Sequence, residues 1–232
     1  MRASRLRTVA LTEKGERMPR LKQVARQEAP PEVARIYDFI FGEGRDPVAD
    51  PGTETGTPGN WWTVFALVPD ALQHAVAGFA FYRSAKRLLD PRLRELGQMR
   101  AGWARGSQFV FSQHCKAGRS VGLTDEQVAA VPAWQTADCF APVERAVLAY
   151  TDGLVLDGGR VADGVFAALR SNGLSDEIIL ELTYIVCTYE MHATMCRALR
   201  LEYDDADERV AEILGPGGAK TLDAMRRVDR PG

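Results

Sequence analysis

Residues that hold metals are scarce in this chain. Its 232 residues include three histidines, His74, His114 and His192, and four cysteines, Cys115, Cys139, Cys187 and Cys196. These form no Cys-x-x-Cys, His-x₃-His or Glu-x-x-His spacing, so neither a zinc site nor a di-metal bundle is written into the sequence. No metal and no cofactor are expected. Four cysteines are too few for a disulfide framework in a chain of this size, which points to free thiols and a cytoplasmic protein. An excess of charge of one sign is also missing. The 29 Lys+Arg and 31 Asp+Glu leave a net charge of -2, which removes the electrostatic ground for nucleic acid or an anionic membrane as partner. Long apolar runs are absent too. Arg2, Arg5 and Arg7 are followed only by Val9 to Leu11 before Glu13, Lys14 and Glu16, too short a run for the core of a signal peptide. Residues 176–199 carry Glu181, Glu190, His192 and Arg197, which interrupt the run of about 20 apolar residues that a bilayer requires. Period-two alternation of strand type is not found.

Helix punctuation fills the chain instead. Pro31 opens a helix predicted to reach Phe41, with proline where a missing N–H costs nothing. Residues 42–60 are dense in Gly, Pro, Asp and Thr and form a long loop, of a length common in lids and interface arms. After the apolar stretch Trp61 to Leu67, Pro69 begins a helix predicted to run to about Leu89. Asp90-Pro91 starts another, ending at Gly106, and Ser107 caps a third that Gly122 stops. Thr124-Asp125-Glu126-Gln127 is a capping box. Pro142 opens a helix through Asp152, and one more covers Val161 to Leu169. Ser175 caps the longest helix, about Asp176 to Leu199. There Ile178, Leu182, Ile185, Tyr189, His192, Cys196 and Leu199 make a heptad seam that packs on another helix. The expected fold is an all-α helical bundle over residues 18–205. Residues 1–17 read as a flexible arm, and 206–232 as a short C-terminal helix and tail.

Two of these helices bring together groups that exchange protons. Glu95 lies near the start of one and His114 two turns into the next, so a turn at Gly106-Ser107 would bring them level. Burial raises a carboxyl pKa and a neighbouring imidazolium lowers it, and a pair so balanced suits general acid–base chemistry. The same spacing also fits a purely structural hydrogen bond. Ser107, Val110, Phe111 and His114 share one stripe. Cys115 sits about 100° away from His114 around the helix. His192, inside the heptad seam, reads as a core histidine.

The run Leu93-Arg-Glu-Leu … Ala101-Gly-Trp … Gln108-Phe-Val-Phe-Ser-Gln-His114 … Ala117-Gly-Arg … Gly122-Leu-Thr-Asp-Glu resembles the carboxymuconolactone decarboxylase family, of the alkylhydroperoxidase-D-like superfamily. The similarity covers about residues 58–130. It implies an alkylhydroperoxidase-D-like bundle built on a helical hairpin and assembled as a homo-oligomer, a trimer or hexamer. The peroxidase branch carries a Cys-x-x-Cys pair ending four residues before its histidine. Here those positions are Ser107 and Val110, while His114 and Glu95 match the family's histidine and glutamate. The chain thus keeps the proton-relay half of the site and lacks the redox half.

The resemblance implies a small-molecule enzyme of the decarboxylase type, in which His114 delivers a proton to carbon and Glu95 sets the imidazole's protonation. The resemblance further implies a small, cyclic carboxylic acid or lactone as substrate. Arg100, Arg105 and Arg119 are candidates for its carboxylate, and Ser107, Phe111, Trp103 and Arg119 for the pocket wall. An alternative is a thiol peroxidase using Cys115, with Cys187 or Cys196 resolving. A non-catalytic oligomeric scaffold is the third reading.

Overall fold

The computed structural model describes residues 18–204 and 210–213. The expected N-terminal arm, and the C-terminal helix and tail apart from 210–213, lie outside the described residues.

Prolines and short polar caps start most of the helices. Proline opens α1 (Pro31–Phe41), α3 (Pro69–Arg83), α4 (Pro91–Ala104) and α7 (Pro142–Val155), using the one helical position where its lost N–H is free of cost. The Asp90 carboxylate accepts the Arg92 N–H at the head of α4, and Ser107 Oγ accepts the Val110 N–H at the head of α5 (Gln108–Ser120). The Thr124/Gln127 capping box opens α6 (Asp125–Ala130), and Ser175 caps α9 (Asp176–Leu199). The short α2 (Asn60–Phe65) and α8 (Asp163–Ser171) complete the α-helices among the described residues, which contain no strand. The protein is all-α, as its sequence predicts.

One helix ends early. The helix opened by Pro69 stops at Arg83, where about Leu89 was expected. Beyond it the N–H groups of Leu88 and Leu89 both donate to Glu181 Oε2 of α9, at 2.9 and 3.0 Å, while Arg87 pairs with the same carboxylate at 3.0 Å. A distant carboxylate takes the amides that a longer α3 would have used.

Helix α4 is the centre of the molecule. It packs on α5, α7 and α9, and every residue from Arg94 to Gly102 is buried. Two glycines make that closeness possible. A Cβ on Gly102 would lie 2.7 Å from the Phe111 backbone nitrogen of α5, and one on Gly97 would lie 2.9 Å from Val186 of α9. The turn between α4 and α5 is made at Gly106, whose φ of 67° is left-handed and open to glycine at little cost. The hairpin expected from Gly106-Ser107 therefore forms, with α9 laid along its side. Its buried seam includes Leu182, Ile185, Tyr189, His192 and Cys196.

A candidate proton-transfer site in the helical hairpin

The hairpin brings Glu95 and His114 into direct contact. His114 Nδ1 lies 2.6 Å from Glu95 Oε2, with both side chains buried. The other carboxylate oxygen, Oε1, accepts from Arg94 Nε at 2.9 Å and lies 2.7 Å from Arg94 Nη2. Arg94 is itself anchored, donating from Nη1 to the Tyr82 carbonyl at 3.1 Å. Burial alone would raise the Glu95 carboxyl, but the facing His114 and Arg94 outweigh it and hold it below the usual carboxylate value. An ionised Glu95 has no proton to give, so Nδ1 carries the hydrogen of the His114–Glu95 bond. That leaves Nε2 as the ring nitrogen outside this bond.

Aromatic rings set the orientation of that imidazole. The ring of His114 stands edge-on to Tyr189, 4.3 Å between centroids and at 89°. The Tyr189 hydroxyl donates to that of Tyr82 at 2.6 Å. Tyr189 also neighbours His192, with centroids 5.7 Å apart, and around His192 stand Trp61, Phe79 and Phe65 at 5.8, 5.5 and 6.4 Å. Burial first, then the nearby His114 and His74, depresses His192 to about 4. At neutral pH it is an uncharged imidazole in an aromatic setting.

The other residues singled out from the sequence have different surroundings. Ser107 is fully buried, and its hydroxyl donates to the Asp204 carboxylate at 3.0 Å while capping α5. Phe111 and Cys115 lie in a separate apolar cluster with Leu96, Met99, Leu123, Val128 and Trp134, and Trp103 packs against that cluster. Burial pushes the Cys115 thiol far above its ordinary value, with the Glu212 carboxylate adding to the rise. The Trp103 ring is covered by the Arg100 guanidinium, 4.5 Å from its centroid. Each of the three candidate cations has a carboxylate partner: Arg100 bonds Asp152 through two nitrogens, Arg105 pairs with Glu190, and Arg119 joins Asp125 and Glu212. None of these links leads to His114.

Arg94, Tyr82 and Tyr189 are parts of the site that sequence reasoning missed. Arg94 stands next to Glu95 in sequence, and neighbours on a helix point about 100° apart. Only the length of the arginine side chain lets it turn back onto the carboxylate. Tyr189 was read as part of the heptad seam, a reading that holds without revealing its contact with His114. Among the described residues no group of three or more His, Cys, Asp or Glu could hold a metal ion, and no helix is long and apolar enough to cross a membrane.

Residues 70–153 match the Carboxymuconolactone decarboxylase family model, a segment that contains both Glu95 and His114. A curated relative, the uncharacterized protein YdfG of Bacillus subtilis, is 27% identical over 94 residues, 40% of this chain; the match spans 63% of that relative's length. Among solved structures, an alkylhydroperoxidase AhpD core from Ralstonia eutropha JMP134, an uncharacterized peroxidase-related protein, superposes with a TM-score of 0.64. It is 17% identical, over 82% of this chain and 95% of that one. The debrominase Bmp8 gives a TM-score of 0.58 at 17% identity, over 89% of this chain and 96% of its own. Bmp8 has also been solved as a cysteine-to-alanine variant in complex with 2,3,4-tribromopyrrole, with a TM-score of 0.57 and 18% identity over 88% of this chain and 95% of that one. At these identities the structural likenesses establish a shared fold.

Proposed function

We propose, from the match of residues 70–153 to the Carboxymuconolactone decarboxylase family model, that this chain is an enzyme of general acid–base type acting on a small, cyclic carboxylic acid or lactone. The observation that carries the reading is the 2.6 Å bond from His114 Nδ1 to a Glu95 carboxylate that His114 and Arg94 together keep ionised. That bond fixes the tautomer and turns Nε2 toward the work of proton transfer. In a decarboxylation the bond to the carboxylate carbon breaks and carbon dioxide leaves. Its electron pair enters a dienolate, and protonated His114 places the Nε2 hydrogen on the receiving carbon. Glu95 stabilises the imidazolium before that step and orients the neutral ring after it. The aromatic surroundings of His192 suit a small planar ring, and Bmp8, of the same fold, takes up a tribrominated pyrrole.

The dithiol peroxidase reading has less support. Serine and valine stand at 107 and 110, and Cys115 is fully buried with its thiol held in the protonated form, whereas the attacking species is a thiolate. Replacing His114 by alanine should lower turnover of a responsive lactone carboxylic acid or β-keto acid by roughly 10²–10⁴-fold, while Cys115→Ser keeps it. Unchanged turnover in His114→Ala would end the proposal.

The same reading includes a cytoplasmic homo-oligomer. The four cysteines are free thiols, as a reducing compartment keeps them. Helix α9 presents Leu180, Tyr184, Cys187 and Met191 to solvent at spacings of four and three, a stripe that a second copy of the chain would cover.

A further inference from the structure

Gln98 is fully buried in α4, yet neither its Oε1 nor its Nε2 meets a hydrogen-bond partner among the described residues. A buried carboxamide without a partner forfeits its solvation, and natural interiors keep very few. Leucine would fill similar space without that penalty, so packing gives no reason for glutamine here.

The glycines on either side say where the side chain points. Gly102 abuts Val110 and Phe111 of α5, and Gly97 abuts Leu182 and Val186 of α9. At 3.6 residues per turn Gln98 lies about 40° from Gly102 and about 100° from Gly97 around α4, and about 60° from Glu95. It therefore faces the seam where α5 and α9 meet, one turn along from Glu95. In that seam the His114 ring touches Tyr189 at 4.3 Å. The neighbouring polar groups are already engaged, Arg94 and His114 with Glu95, and the Tyr82 and Tyr189 hydroxyls with each other.

We infer that Gln98 is a substrate-contacting residue of the His114 site, its carboxamide Nε2 donating to the carbonyl oxygen of a small lactone or keto acid. This rests on the acid–base reading of His114. As the carbon–carbon bond to the departing carboxylate breaks, the electron pair delocalises onto that oxygen, and the Gln98 N–H bond strengthens with the growing charge while no proton leaves the amide. His114 supplies the proton at carbon. Gln98 thereby selects substrates with a carbonyl oxygen within reach of the imidazole.

The test uses the full chain with selectively ¹⁵N-labelled glutamine side chains and 5-oxotetrahydrofuran-2-carboxylate, a saturated γ-lactone carboxylate, as probe. The Gln98 carboxamide signals, assigned by their loss in Gln98→Leu, should shift saturably and in step with the His114 ring signals. Gln98→Leu should bind the probe at least about tenfold more weakly, while its thermal midpoint without probe stays level or rises, because an unpartnered polar group has been removed. In His114→Ala the Gln98 signals should still respond, which separates failure at Gln98 from failure of the His114 reading. Carboxamide signals that stay fixed while the His114 ring saturates would overturn the inference. So would a Gln98→Leu protein that folds and binds the probe as the parent does.

Discussion

A carboxylate facing an imidazole on one side and a guanidinium on the other is a different group from one facing the imidazole alone. Burial works against the charge on Glu95, and His114 opposes it most, by its charge and its hydrogen bond. Arg94, bonded through Nε and Nη2 to the same carboxylate, adds a second pull toward the anion. The folded-state pKa of Glu95 is lowered, so its contribution to stability is present above the unfolded carboxyl value and disappears as the pH falls through the folded one. In Arg94→Leu the carboxylate loses one of its two partners, and urea unfolding at neutral pH should report a loss of about 3–5 kcal/mol, the cost of breaking a buried pair by removing one partner. Acid unfolding of that variant should begin at a higher pH than in the parent. A variant as stable as the parent would show that Arg94 does no such work. At this scale the sequence disclosed the two ends of the His114–Glu95 bond, because a histidine and a glutamate on consecutive helices are conspicuous. It did not disclose Arg94 or Gln98, whose importance depends on a side chain's reach and on what lies opposite. It also left the state of Cys115 open, since burial is a property of the packed chain.

Among the elements, the hairpin and the long last helix were the most legible. Pro31–Phe41 and Asp176–Leu199 form with the limits that their proline, caps and periodicity predict. Helix α3 fell short because Glu181, far away in sequence, captures the amides at 88 and 89. Helix α9 also has a second face. Its buried side holds Tyr189 and His192 in the site, while Leu180, Tyr184 and Met191 are 69%, 52% and 47% exposed on the other. The heptad pattern found the first face, and the second, in the same rhythm two residues further on, passed unnoticed. If a second copy covers this stripe, Tyr184→Glu places a charge in a desolvated apolar contact and should shift the sedimentation coefficient from that of an oligomer to that of a monomer. A parent protein that sediments as a monomer would contradict the assignment.

Across the whole molecule, the stretch after α9 ties distant elements together with acidic groups. Glu202 accepts the backbone N–H groups of Gly59 and Trp61 at 3.0 and 2.7 Å, and Asp204 accepts the Ser107 hydroxyl and the Phe109 N–H. Two helix starts, those of α2 and α5, are thus held by carboxylates from the far end of the chain. The 42–60 loop, whose length in the sequence suggested a lid or an interface arm, leads into the first of these anchors. Burial, against the pull of the donated N–H groups, raises both Glu202 and Asp204 to about 7. An unfolded carboxyl ionises near pH ~4, so between about pH 4 and 7 the folded chain holds protons that the unfolded chain has released. Their contribution is complete below the unfolded value and is lost as the pH rises through the folded one. Unfolding free energy measured across that window should fall less steeply in a Glu202→Gln, Asp204→Asn double variant than in the parent, and an unaltered slope would refute the assignment. The central claim of the account concerns the fixed imidazole that this framework holds, and ¹⁵N resonances of the His114 ring test it most directly. The result expected is a hydrogen on Nδ1 at neutral pH, held by the ionised Glu95. A neutral ring that carries its hydrogen on Nε2 and leaves Nδ1 bare would contradict it.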